Sequence, residues 1–164
     1  MSRFSERLNW LRAAILGSND GIISVSATLV GIAAARPGAL VAAAVAATLA
    51  GASSMAIGEY VSVAAQVDAE RSQGAPVSVS PVTAAVSSAL SFTSGAALPS
   101  IAILSAPPAW RIPITMFAVV TSLAIVGALS AHWSHTAMLR PSLRVMGGGT
   151  LALGLTYLVG HLIA

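Results

Sequence analysis

Cysteine and lysine are both missing from this 164-residue chain. Without cysteine there is no disulfide framework and no thiolate metal site, and the redox compartment is left unmarked. Charge is scarce as well. Only 8% of the residues are charged, against about 25% in an ordinary soluble domain. The eight basic residues are all Arg, and they neither cluster nor alternate with aromatics. The net charge of +3 therefore does not mark a nucleic-acid surface. Enzyme signatures are lacking too: there is no G-x-S-x-G, no H-E-x-x-H, no Walker loop and no G-x-G-x-x-G. The expectation is a non-enzyme without a permanent cofactor. The N-terminus makes a poor signal peptide, because Asn19-Asp20-Gly21 interrupts the apolar run that such a peptide needs.

What fills the chain instead is hydrocarbon. Hydrophobic residues make up 56% of it, more than a water-exposed surface can hide but well suited to a bilayer. A spanning helix needs about 20 mostly apolar residues. The apolar segments predict an all-α integral membrane protein with five spans, over residues 11–35, 39–66, 81–104, 113–139 and 143–163. Arg36-Pro37-Gly38, Pro107-Pro108 and Arg140-Pro141 punctuate them. Asp68-Ala69-Glu70-Arg71 forms the one dense charge cluster, followed by a short loop with Gly74 and Pro76. Gly147-Gly148-Gly149 predicts a kink or a close helix contact. Residues 1–12 alternate Arg3, Arg7 and Arg12 with Phe4, Leu8 and Leu11, which reads either as an amphipathic surface helix or as a solvated tail. The N-terminal tail, Arg71, Arg140 and Arg144 put six Arg on one side of the membrane, with Arg36 and Arg111 on the other. By the positive-inside rule the N-terminus is cytoplasmic and the C-terminus outside.

Two acids lie where hydrocarbon should be. A carboxylate at the centre of a span costs roughly 2.5–3.5 kcal/mol on insertion scales, so it usually faces a polar interior or an ion path. Asp20 begins a stripe with Ser24, Thr28 and Gly31 on the first span. A salt bridge or a protonated acid bonded to a neighbouring helix is the structural alternative. Glu59 shares a face of the second span with Thr48, Ala52, Met55, Ser62 and Gln66. Met55 is either a core filler, which is its ordinary role, or a soft thioether beside a carboxylate. Asp20 lies eight residues after Arg12 and Glu59 nine before Asp68. At 1.5 Å per residue both sit roughly 12–13 Å from the cytoplasmic end, and could converge on one site. Oxygen ligands suit Mg, Ca or Mn, and a thioether shifts the preference toward softer metals. Protons would compete for the same oxygens. His132 and His135 share a face, but interfacial hydrogen bonding is their better default. Tyr157 and His161 read as an interfacial anchor.

Several runs of residues look familiar together. They are Trp10-Leu11-Arg12-Ala13-Ala14, Gly17-Ser18-Asn19-Asp20-Gly21-Ile22-Ile23-Ser24 and Ala50-Gly51-Ala52-Ser53-Ser54-Met55-Ala56-Ile57-Gly58-Glu59-Tyr60-Val61-Ser62. Gln66, Asp68 and Glu70 continue the last of these. Ala89-Leu90-Ser91-Phe92 with Gly95 and Pro99, then Arg144, Gly147 and Thr156-Tyr157-Leu158-Val159-Gly160, extend the likeness along most of the chain. The sequence resembles the vacuolar iron transporter family. The resemblance implies a five-helix protomer and a homodimer with its ion path along the dimer axis. It also implies proton-coupled export of ferrous iron or a similar divalent metal from the cytosol. The pathway residues of that family carry over to Asp20, Met55 and Glu59. Family members usually insert a Glu-rich cytoplasmic helical domain after the second helix. Here only nine residues separate Arg71 from Pro81, as in the shorter nodulin-like branch. Asp68 and Glu70 are either what remains of an acidic metal entrance or a solvated helix end.

The sequence-based reading is thus a divalent metal exporter, carrying Fe2+ foremost. A manganese-preferring or broad divalent exporter is the alternative, and a non-transporting helical membrane protein is the rival from another class. Expected partners are a second copy of the chain, divalent ions, protons and membrane lipid, with no nucleic acid. Gly17, Gly21, Gly51 and Gly58 are expected to bring backbones together near the two-fold axis. The absence of an organellar targeting signal points to a bacterial-type inner membrane.

Overall fold

A computed structural model describes residues 2–77, 79–133 and 139–164. Its long elements are α1 (Ser2–Ala35), α2 (Leu40–Ser72), α3 (Pro81–Ser105), α4 (Arg111–Trp133) and α5 (Leu139–Leu162). All five contain a stretch long and apolar enough to cross a membrane. The breaks fall where backbone chemistry demands them. Arg36 leaves helical geometry at φ −143° and ψ 76°, and Pro37 opens a single 3₁₀ turn before α2. Gly74, at φ +67°, follows α2. The amide of Gly74 donates to the Arg71 carbonyl at 3.1 Å and that of Ala75 to Glu70 at 2.9 Å. This pair of bonds satisfies carbonyls that a helix end leaves open, and the left-handed residue between them has to be glycine or something close to it. Ser80 then caps α3 by accepting from the Thr83 amide at 3.3 Å, with Pro81 in the first turn.

The five long helices overlap the five expected spans, with differences at their ends; the stretch 134–138, before the expected end of the fourth span, lies outside the described residues. α1 runs unbroken from Ser2, so the basic N-terminal stretch extends the first span as one helix; the side chains of residues 1–8 lie outside those described. The charge cluster Asp68–Arg71 belongs to α2, which is 33 residues long. At 1.5 Å per residue that is about 50 Å, longer than the roughly 30 Å hydrocarbon core. α5 passes through Gly147-Gly148-Gly149 without a break. Of these three, only Gly149 meets another helix, where Leu123 of α4 packs against it.

α1 is the hub of the bundle and packs against every other long helix, most extensively against α3. Its inner face carries Val25, Ser26, Leu29 and Val30, all at or near zero exposure. Phe92, Ile103, Val119, Leu123 and Leu153 meet them from the other helices. α2 touches only α1 and α3 among the long helices described, so most of its circumference is bare. Val41, Val45, Leu49, Ile57 and Val61 are all exposed on it.

The glycines correct one expectation. A methyl group at Gly17 or Gly21 would strike the α3 backbone at Ser88 or Phe92, and one at Gly95 would strike α1 at Ser18. A methyl at Gly51 would strike the Phe92 ring. Gly17, Gly21 and Gly51 therefore serve close packing inside one protomer, and of the four glycines expected at an axis only Gly58 has open space beside it.

Candidate functional site

The polar stripe of α1 faces α2 across a cleft of about 270 Å³. Its walls are Asp20, Ser24 and Thr28 on one side and Ala47, Gly51, Ser54 and Met55 on the other. The Phe92 ring, buried on α3, forms the floor. Gly51 makes room for that ring, because a side chain there would occupy its place. Ser24 donates to the Asp20 backbone carbonyl at 2.6 Å and Thr28 to the Ser24 carbonyl at 2.9 Å. Each hydroxyl thus spends its proton on its own helix and keeps its oxygen lone pairs for the cleft. The Asp20 carboxylate has neither a hydrogen bond nor an ion pair among the described residues. The cleft therefore offers an ionisable acid, neutral oxygens and a thioether sulfur, a donor set that fits a divalent transition metal.

Glu59 goes elsewhere. It lies one helical turn beyond Met55 on α2 and is only 6% exposed. Its carboxylate takes both arms of the Arg12 guanidinium, Oε2 from Nη2 at 2.9 Å and Oε1 from Nη1 at 3.3 Å. Two-point pairing of this kind is the strong form of a charge-assisted bond. Asp20 and Met55 line one cleft, and Glu59, which does not line it, pairs instead with Arg12 of α1. Among the described residues no group of three or more His, Cys, Asp or Glu gathers to hold a metal. Asp68 and Glu70 sit on the distal end of α2. Asp68 is exposed and 3.9 Å from Arg71, a surface pair of small energetic weight. Glu70 accepts from Gln66 at 3.0 Å. His132 is exposed at the end of α4, and His135 lies outside the described residues. Tyr157 and His161 stack with ring centroids 6.2 Å apart.

Sequence reasoning missed Arg12, Ser54 and Phe92. Arg12 was read with the surface cations, although a buried carboxylate demands a cation or a proton and Arg12 was the Arg nearest the membrane on α1. Ser54 stands one position off the face of Met55 and Glu59. Phe92 belongs to a helix with no acid, and only the tertiary fold brings it beneath Asp20.

Fold and site together define a multi-pass membrane protein whose first two helices frame a carboxylate-bearing polar cleft. The VIT family's model matches residues 11–78 and 72–161, and the chain belongs to that family. It is 42% identical to vacuolar iron transporter homolog 1 of Oryza sativa subsp. japonica, over 92% of this chain and 72% of the relative. It is 39% identical to vacuolar iron transporter homolog 2 of Arabidopsis thaliana, over 98% of this chain and 87% of the relative. Both relatives are plant proteins named for the vacuole, so they lend no support to the expectation of a bacterial inner membrane. No solved structure matches the chain.

Proposed function

We propose that the chain moves ferrous iron out of the cytosol in exchange for protons, with the cleft between α1 and α2 as its transit site. The observation that carries this reading is the unengaged Asp20 carboxylate, which shares a span-embedded cleft with Ser24 and Thr28 beside it and Ser54 and Met55 across from it. An acid left unpaired in the span is costly, and a cation or proton in transit relieves that cost. Metal and protons share the same oxygens, which supplies the physical basis for exchange. The relatives' names, both iron transporters, agree with iron as the cargo. Manganese is the second cargo, since hard oxygens outnumber the sulfur in the cleft. The Arg distribution supports a cytosolic N-terminus by the positive-inside rule. No catalytic step is assigned.

The test is anaerobic Fe2+ uptake into proteoliposomes with an imposed pH gradient, with Mn2+ run in parallel. Uptake should require the gradient and slow as pH falls from 8 to 5.5 on the metal-loading side. Fe2+ flux that is indifferent to pH on both sides would remove proton exchange. No flux of either metal would leave the intramembrane acids a role in helix association alone.

The cleft also bears on assembly. Thr28 and Ser54 are exposed at its rim, so a single copy would open a cleft holding an unpaired carboxylate toward lipid, a costly arrangement. We assign this face to a homodimer joined through α1 and α2, in which two cleft sets lie beside a two-fold axis. The bare apolar face of α2 is consistent with this. Because the chain has no native Cys, single replacements at Leu49, Ser53 and Ile57 should give oxidative crosslinks between copies in membranes. Crosslinking confined to exposed α4 positions such as Phe117 or Ile125 would move the axis away from the cleft.

A further inference from the structure

Arg12 is the strongest unassigned feature of the molecule. It lies eight residues, about 12 Å along the helix, before Asp20. Its guanidinium is half-exposed, its Nη2 also meets Asn9 Oδ1 at 3.3 Å, and both Nη atoms engage Glu59. Glu59 itself is buried. The position is that of a plug: a fixed cation closes the carboxylate one turn from the cleft in which Asp20 and Met55 stand open.

Resting on the transport reading above, we propose that Arg12 is a specificity-determining positioning residue. Its guanidinium is an internal competitor that holds Glu59 until a divalent cation displaces it. The basis is electrostatic. A monovalent ion brings the same charge as the guanidinium and forgoes two directed hydrogen bonds, so it does not win the carboxylate. A divalent ion brings twice the charge at a shorter distance, because metal–oxygen contacts of about 2.0–2.6 Å are closer than the 2.9 Å pair here. Attraction scales with charge over distance, so the divalent ion displaces Arg12 where potassium fails. Once displaced, Glu59 joins Met55 one turn away on the same face of α2 and hands the ion toward Asp20. When the ion leaves, Arg12 returns and neutralises a buried charge that would otherwise stand alone.

The experiment compares wild type, R12Q, R12K and R12Q/E59Q in two assays: anaerobic Fe2+ binding to purified protein, and Fe2+ flux in proteoliposomes. Both are run with K+ and then with N-methylglucamine at constant ionic strength. In R12Q the apparent Kd for Fe2+ should fall by about tenfold, in the range of ordinary coupling between competing ligands. The KM should fall with it, while maximal flux falls because the ion leaves slowly. K+ should now compete with Fe2+ in R12Q and not in wild type. R12K, which keeps the charge but not the fork, should lie between them. R12Q/E59Q should lose the gain in affinity. If R12Q does not fold, R12K carries the same comparison with a smaller shift. A pair that only staples α1 to α2 gives a different result: lower thermal stability in R12Q, with Fe2+ affinity and K+ insensitivity unchanged, and that outcome overturns the inference while leaving transport intact. Wild-type protein that neither binds nor moves Fe2+ overturns the transport reading and this inference together.

Discussion

Asp20→Asn should cut metal flux by about 100-fold or more while leaving a folded protein that purifies like wild type. The magnitude follows from what the side chain does. Replacing even an outer-shell partner of a metal site costs about 10–100-fold in affinity or activity, and Asp20 is the one acid in its cleft. Asn keeps the shape and an acceptor oxygen but supplies no charge and cannot release a proton. The fold should survive because nothing in the packing depends on the charge. The carboxylate makes no ion pair or hydrogen bond among the described residues, and the helix around it is held by its backbone and by Gly21, Ile22 and Val25 against α3 and the core. Removing an uncompensated acid from a span lowers a cost, so thermal stability in detergent should stay level or rise. Fe2+ flux and melting temperature measured on the same preparation separate the two effects. Wild-type flux from Asp20→Asn would remove the cleft from the transport path. Lost flux with lost folding would make Asp20 structural.

The contrast between the two intramembrane acids organises the site. Asp20 is open and Glu59 is closed, although both stand out in the sequence for the same reason; Met55 shares the cleft with Asp20, and Glu59 lies one turn beyond Met55 beside Arg12. The difference comes from what the neighbouring helix offers each. α2 gives Asp20 small residues, a hydroxyl and a thioether. α1 gives Glu59 a guanidinium. On the path proposed above, an arriving divalent ion meets the Arg12–Glu59 pair first and the unpaired Asp20 after it, so exchange of one cation for another precedes entry into the cleft. Convergence of both acids on one open site, the simplest reading of their depths, is not the arrangement of the described structure.

Span number was legible because lipid enforces it. Length, apolarity and the Pro, Gly and Arg at the breaks are local properties, and five long helices are found, although α1 begins at Ser2, nine residues before residue 11, and α2 runs to Ser72, six past residue 66. Asp20 was legible as a candidate-site residue because a carboxylate is out of place in hydrocarbon, whereas Met55 read as a core filler or as a thioether beside a carboxylate. Which face of a span meets protein and which meets lipid was not legible. In a membrane helix both faces are apolar, so the periodicity that marks a core in water carries little contrast. For this reason Gly17 and Gly21 read equally well as contacts across a dimer axis, yet they serve α3 in the same chain. Ser54 and Phe92 were hidden for the same reason. A serine and a phenylalanine in apolar helices carry no signal of their own until the crossing of α1, α2 and α3 puts them around one acid. The cap at Gly74, by contrast, was half visible: glycine after a charged helix end is a stop signal, and only the backbone angle shows which residue takes the left-handed position.

Gly21→Val should be the most damaging single change to the fold, and the physical reason is that backbone cannot step aside. A Cβ at Gly21 would fall on the carbonyl oxygen of Phe92 and close on the Ala96 amide nitrogen at 3.0 Å. α1 meets α3 more extensively than any other pair of helices meets, and Gly17, Gly21 and Gly95 form its seam, glycine on each helix opposite backbone of the other. Overpacking of a core costs about 1–3 kcal/mol and occasionally more. With backbone on the receiving side the cost belongs at the upper end, about 3 kcal/mol. The same residue supports the cleft, because the helix segment displaced is the one that carries Phe92. Gly21→Val should therefore lower both the melting temperature and metal flux, and Gly21→Ala should do so to a smaller degree. Gly154 is the internal control. Nothing lies within 4 Å of a Cβ built there, and alanine is a better helix former than glycine by about 0.8–1.0 kcal/mol. Gly154→Ala should leave the melting temperature unchanged or raise it. Equal melting temperatures for Gly21→Val and wild type would mean that α1 and α3 do not approach as closely as the seam requires.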